Sequence, residues 1–186
     1  MGSGALDAEE GVRVELRRGA LVLLIGASGS GKTTFAHRWF GAGEILSSDT
    51  FRLLVSGDED DQSATADAFR LLHLAAEARL RRGRLTVVDA TNVLYASRRR
   101  LVQAAARHRR PAMAVVFALP EEVCQEWNRR RPGRSIGPQV VRRQHILMRR
   151  SLAHLPEEGF ASISVLRTPA EIDSVVVMRP RVDRRS

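Results

Sequence analysis

The segment "GASGSGKT", Gly26 to Thr33, has the spacing G-x-x-x-x-G-K-[ST] between an apolar stretch and an amphipathic one. Its glycines let the backbone wrap a polyphosphate, and the amides at a helix start present the positive end of the helix dipole. Gly26, Ser28, Gly29, Ser30, Gly31, Lys32, Thr33 and Thr34 are the expected donor-binding residues. Lys32 would reach the β and γ phosphates of a nucleoside triphosphate and Thr33 would offer its hydroxyl to Mg²⁺. The chain has 30 basic residues, and all but Lys32 are arginine. The lone lysine stands where a compact ammonium on a flexible stem does what a planar guanidinium cannot.

Two carboxylates complete the chemistry. Asp89 ends the apolar run of "VVDATN", where a second carboxylate would hold the metal through water; a turn or helix cap is its bland alternative. Asp49 in "LSSDTFR" lies three residues before Arg52. As a general base it could accept the proton of an attacking hydroxyl, with Arg52 holding an anion on the acceptor. In the bland reading Asp49 caps the turn Thr50 to Leu54. Thr91 and Asn92 either orient a substrate or cap the next helix. A third segment, "CQEWNRRRPGR", carries four arginines around Pro132-Gly133. It reads as a solvated charge run, a nucleic-acid patch, or a clamp on phosphate.

These residues need a scaffold, and the hydrophobic pattern supplies one. Leu21–Ile25, Leu85–Val88 and Ala112–Leu119 are continuously apolar, as strands buried on both faces are. A second strand over Glu44–Ser47, an edge strand over Val12–Leu16 and late strands over Ser162–Leu166 and Val175–Met178 complete the set. Helical patterns intervene over Thr33–Phe40, about Ser63–Arg82, Ala96–Arg109, from Pro120, and from Pro138 to about Leu152. On the long one Ala66, Phe69, Leu72, Ala76 and Leu80 mark one face. Alternation of strands and helices predicts an α/β doubly wound domain, a parallel sheet with helices on both faces, whose ligands sit beyond the carboxyl ends of its strands.

With 186 residues the chain is expected to form one domain, core about 12–178, followed by a basic tail over 179–186. No stretch is apolar enough to span a membrane, and Asp7, Glu9 and Glu10 do not fit a secretory signal. The single cysteine, Cys124, points to a reducing, cytoplasmic setting. A net charge of +9 favours polyanionic partners. The five histidines are scattered; "DEDD" at 58–61 suits the start of the next helix, with a metal cluster as the alternative, and "RRR" at 98–100 and "RHRR" at 107–110 read as the wet face of the helix Ala96–Arg109, with nucleic-acid steering as the alternative. From the residues alone three activities stay open: a polynucleotide 5′-hydroxyl kinase, a small-molecule kinase on the same scaffold, and a nucleotide-gated binding module. Oligomeric state is open too.

The stretches "LIGASGSGKTTFA", "ILSSDTFRLLVSGDEDDQSAT", "LTVVDATNV", "VVFALPEEVCQEWNRRRPGR" and "RRQHILMRRS" together resemble the 5′-kinase domain of bacterial polynucleotide kinase-phosphatase, an RNA-repair enzyme of the P-loop phosphotransferase superfamily. The likeness runs from about Leu16 to Val177. It implies transfer of the γ-phosphate of ATP or another NTP to the 5′-OH end of single-stranded RNA or DNA, with Mg²⁺. It implies Lys32 on the γ-phosphate, Thr33 and Asp89 at the metal, Asp49 as the base and Arg52 on the acceptor's terminal phosphate. Arg131 and Arg134 match two arginines of a mobile, arginine-rich helical lid spanning about Cys124–Arg143, and the resemblance implies that both contact the donor phosphates and so join the donor-binding residues. Trp127 stands where the family places another lid arginine. The family's kinase is one module beside phosphatase and ligase-like domains, so the chain is expected to be an excised domain or a kinase-only relative.

Overall fold

A computed structural model describes residues 11–131 and 136–180. Five strands form one parallel sheet: β2 (Leu21–Gly26), β3 (Ile45–Ser47), β4 (Thr86–Asp89), β5 (Ala112–Phe117) and β6 (Ser162–Leu166). Their order is β3-β4-β2-β5-β6, so the strand that feeds the phosphate loop is central. β1 (Arg13–Glu15) is not an edge of this sheet. It pairs in parallel with β7 (Val176–Met178), and the two make a separate ribbon.

The helices are α1 (Lys32–Trp39), α2 (Ser48–Ser56), α3 (Thr65–Arg81), α4 (Tyr95–Arg107), α5 (Glu121–Arg130), α6 (Pro138–Leu152) and α7 (Pro169–Ser174). Continuous apolar strands imply cover on both faces, and both are covered. Val22 and Leu24 of β2 face a core with Phe35, Cys124 and Ile172; Leu21, Leu23 and Ile25 face another with Leu72, Leu80 and Leu101. Helix α6 contributes Val141 to the first core and Met148 to the second.

Most expected elements lie within two or three residues of their predicted limits, and three differences have physical causes. The face of α3 is Ala68, Leu72, Ala76 and Leu80, while Ala66 is exposed; Ala68, one turn before Leu72, is in phase with the stripe. The turn expected after Asp49 is a full helix because Ser47, not Asp49, is its N-cap and accepts the Asp49 amide. Arg98 is not on the wet face of α4. It is 1% exposed, and its guanidinium pairs with both carboxylate oxygens of Glu158, with Nε to Oε2 at 2.7 Å. It also donates to the Asn92 carbonyl at 2.9 Å, which ties α4 to the turn behind Asp89. The tail also begins docked. Arg179 pairs with both oxygens of Glu44 at 2.7 and 2.9 Å and donates to the Trp39 carbonyl.

Candidate active site

The carboxyl ends of β2, β3 and β4 open on a cavity of about 980 Å³. Ser28 to Thr34 form one wall, Ser48, Asp49 and Arg52 a second, Asp89 to Thr91 the floor between them, and Trp127, Arg131 and Val140 the far side. Thus Lys32, Thr33, Asp49, Arg52, Asp89 and Arg131, chosen from sequence separations of up to 99 residues, surround one space. Gly26 stands apart from them. It ends β2 below the loop, where its amide donates to the Thr91 carbonyl at 3.0 Å. Arg134 lies outside the described residues.

Two glycines give the loop its path. Gly29 and Gly31 have φ of +76° and +87°, the left-handed region that other residues enter at a cost. Helix α5 lies directly on this turn: a Cβ at Gly29 would stand 2.2 Å from the Cys124 carbonyl oxygen and 2.9 Å from the Asn128 amide nitrogen. Gly29→Ala is therefore expected to push α5 off the loop. The cost should be about 1–3 kcal/mol from overpacking, a fall of several degrees in Tm, with nucleotide affinity reduced in the same variant. Thermal unfolding with and without ADP measures both effects.

Lys32 is buried at the start of α1, donating to the Ala27 carbonyl at 2.7 Å and the Ser30 hydroxyl at 3.2 Å. Burial lowers its pKa from 10.5 to about 8, against the pull of Asp89, Cys124 and Asp49. Because the folded pKa is depressed, the unfolded chain binds more protons between about pH 8 and 10.5. The ammonium thus costs stability below pH 8, and the cost fades as pH rises through that window. Asp89 is shifted the other way: burial raises its carboxyl above the usual range, opposed by Lys32 and by the Thr33 hydroxyl. Both groups are held at the expense of stability, as residues meant for an anion and a cation are.

The Thr33 hydroxyl donates to Asp89 Oδ2 at 2.8 Å. This hydroxyl and carboxylate are hard oxygen donors, and no group of three or more His, Cys, Asp or Glu that could hold a metal occurs among the described residues. Two protein oxygens at a phosphate loop suit Mg²⁺, which keeps several waters and takes its other ligands from phosphates. Cys124 is not part of this chemistry. Burial pushes its thiol up to about 11, and it packs in the core beneath α5.

Across the cavity Asp49 sits between two guanidiniums. Arg52, one turn on along α2, pairs with Oδ1, while Arg131, at the end of α5, lies 3.7 Å from Oδ2. Arg52 is also held by the Glu59 carbonyl at 2.7 Å, so its position does not depend on Asp49 alone. The neighbouring arginines have another partner: Arg129 and Arg130 both pair with Glu126, and Arg130 also borders the cavity. Among the described arginines of the run, two are thus engaged by Glu126, and Arg131 is the one that reaches toward Asp49.

Three contacts were not visible from spacing. Gln144 accepts the Ser28 amide at 2.8 Å, which links α6 to the loop. Asn128, 3% exposed, donates to the Ile136 carbonyl at 2.7 Å and accepts the Ile136 amide at 3.3 Å. It clasps the two ends of the segment that begins with Arg129. Trp127 lays its ring edge against Gly31, 3.1 Å from where a Cβ would be. Each contact joins residues that no local pattern relates, except that Asn128 and Trp127 lie within the unusual "WNRRR" run.

Residues 21–155 match the family described as an AAA domain. No curated protein matches the chain. Among solved structures, it is similar to a chain of the Pnkp1/Rnl/Hen1 RNA repair complex, at 22% identity over 75% of this chain and 47% of that one, with a TM-score of 0.64. It therefore spans about half the length of that protein. It is also similar to Chaetomium thermophilum Kti12 in complex with ADP-AlF3 (17% identity, 82% and 93% covered, TM-score 0.58) and to a sugar kinase from a Janibacter species (21% identity, 82% and 89% covered, TM-score 0.58). At these identities the likeness establishes the fold. No helix among the described residues is long and apolar enough to cross a membrane.

Proposed function

Given that the chain belongs to the AAA domain family, here a P-loop kinase domain over residues 21–155, we propose that it is a polynucleotide 5′-hydroxyl kinase acting in nucleic-acid repair. The fold implies nucleotide binding at the Gly26–Thr33 loop. The observation that carries the finer reading is Asp49, joined to Arg52 and Arg131 and facing Lys32 across one cavity. A nucleotide-gated module needs no carboxylate there. A transferase does, since a hydroxyl acceptor must lose its proton as it attacks. Arg52 beside the base favours an acceptor with a phosphate close to its hydroxyl, as a 5′-OH strand end has. The likeness to a chain of an RNA repair complex and the +9 charge support the same choice.

In this reading the loop amides and Lys32 bind the donor triphosphate. Asp49 orients the 5′-hydroxyl and takes its proton, Arg52 holds the first internucleotide phosphate, and Arg131 neutralises charge on the transferred group. Thr33 and Asp89 would hold Mg²⁺, which screens the donor phosphates when bound. Arg134 is the second expected lid arginine. Cytoplasmic location, and phosphatase or ligase partners in a larger enzyme, belong to the same proposal.

The test is label transfer from γ-labelled ATP with Mg²⁺ to a 5′-OH oligonucleotide, beside gluconate and other sugars as acceptors. The expected result is a labelled 5′ end, with a KM for oligonucleotide that rises with salt. Labelled sugar and unlabelled oligonucleotide would overturn the assignment. A second expectation concerns the arginines: Arg131→Ala should lower kcat by about tenfold or more, and Arg129→Ala by less than threefold, because only the former reaches the site. Equal effects in steady-state kinetics would return the whole run to surface charge.

A further inference from the structure

The cavity has more lining than the transfer chemistry uses. Besides Asp49 and Arg52 it is bordered by Asp60, Gln62, Thr65 and Phe69, from the turn after α2 and the start of α3. Thr65 and Phe69 are one turn apart on α3 and so share the face that looks into the cavity. Helix α3 packs on α2, which carries Asp49 and Arg52, and Arg52 reaches across to the Glu59 carbonyl just before the turn that starts α3. This part of the lining is therefore fixed relative to the base. Its polar groups, Asp60, Gln62 and Thr65, lie at the mouth of α3, and Phe69 is the aromatic ring on this wall.

The Phe69 ring is half-buried. One side packs with the core that contains Leu72 and Val88, and its edge meets His73 at 6.3 Å between ring centroids. The rest of the ring lines the cavity. A ring held this way loses no rotamer freedom when a flat ligand covers it, and every nucleobase has a π-face to offer. A nucleotide acceptor places its base on the side of the ribose away from the attacking hydroxyl.

We infer that Phe69 is the stacking platform for the 5′-terminal nucleobase of the acceptor, making a base-bearing strand end the preferred substrate whatever the identity of the base. This rests on the polynucleotide reading above and adds to it a specificity-determining residue. Because stacking reads the π-face and not the hydrogen-bonding edge, the four bases are expected to be accepted with little discrimination.

The experiment compares two 5′-OH oligonucleotides that differ only at the first nucleotide, one with thymine and one abasic, in the wild type, Phe69→Leu and Phe69→Trp. Thermal unfolding with ADP shows that each variant retains a folded donor site. The wild type is expected to favour the thymine end by about tenfold in kcat/KM, mostly through KM. Phe69→Leu, which keeps apolar packing but has no ring, should bring the ratio close to one, and Phe69→Trp should retain or raise it. A wild type that labels both ends equally, or a Phe69→Leu variant that keeps the preference, would overturn the platform and leave the kinase reading standing. Failure to label either strand, with ADP still bound, would overturn the reading beneath it.

Discussion

Replacing Asp49 by alanine is expected to lower the rate of phosphoryl transfer by about 10²- to 10⁴-fold while ADP affinity changes little. Its side chain pairs with Arg52 and Arg131 and accepts from the Ser48 hydroxyl, all three outside the Gly26–Thr33 loop, so the loop amides and Lys32 are expected to go on holding the donor when it is removed. Lys32→Ala should do the opposite and lose nucleotide. Asp49→Asn separates two roles, since an amide keeps the volume and can still accept from Arg52 but cannot take a proton. If kcat survives in Asp49→Asn, the carboxylate merely positions Arg52. If ADP affinity falls in Asp49→Ala as far as in Lys32→Ala, Asp49 belongs to the donor side. Single-turnover rates and calorimetric titration of ADP supply both numbers.

Glu158→Ala is expected to cost about 3–5 kcal/mol, a fall of roughly 10 °C in Tm, although Glu158 does not line the cavity. The pair it makes with Arg98 is nearly inaccessible, with side chains 1% and 3% exposed. Removing one partner leaves a buried guanidinium charge with only the Asn92 carbonyl against it. The double variant Arg98→Met, Glu158→Leu should recover much of the loss, because apolar side chains of similar volume need no solvation. A double variant as unstable as Glu158→Ala would show that the hydrogen-bonded pair itself, and not an uncompensated charge, carries the stability. The pair also braces the turn of Asn92, whose amide donates to the Leu24 carbonyl at 2.8 Å and whose φ is +49°. The double variant can therefore fold well and still hold Asp89 and Thr91 less firmly.

The parallel sheet and its two covering layers were legible because long apolar runs have one reading when helices separate them. The positions of the phosphate loop, Asp89 and Asp49 were legible because each ends or closely follows a strand, and strand ends in such a sheet converge. Arg98 was misread for an instructive reason. Three consecutive arginines look alike by composition, but residues 98, 101, 102 and 105 follow the i, i+3, i+4, i+7 rhythm of a buried face. Its partner, 60 residues later, leaves no local mark. The same holds for Gln144 and Ser28, 116 residues apart. Spacing does predict the division among Arg129, Arg130 and Arg131 once Glu126 is noticed, since residues three and four after it are its natural partners on a helix.

The ribbon of β1 and β7 has a consequence for how the molecule comes together. Its register sets Arg13 beside Val176 and Glu15 beside Met178, so three-residue strands close a loop of some 160 residues, nearly the whole chain. Chain entropy makes such a closure unfavourable until everything between has collapsed, and the ribbon should therefore form last. Val14 and Val177 then seal the edge of the core that holds α1, and Arg179 fastens over Phe40 and Glu44. The amides of Leu16 and Val176, which donate across the ribbon at 2.8 and 3.0 Å, should exchange with solvent together and well before those of β2. A cut on either side, at Val12 or after Val175, would free both strands at once. Segments some 160 residues apart in the chain thus behave as a single latch.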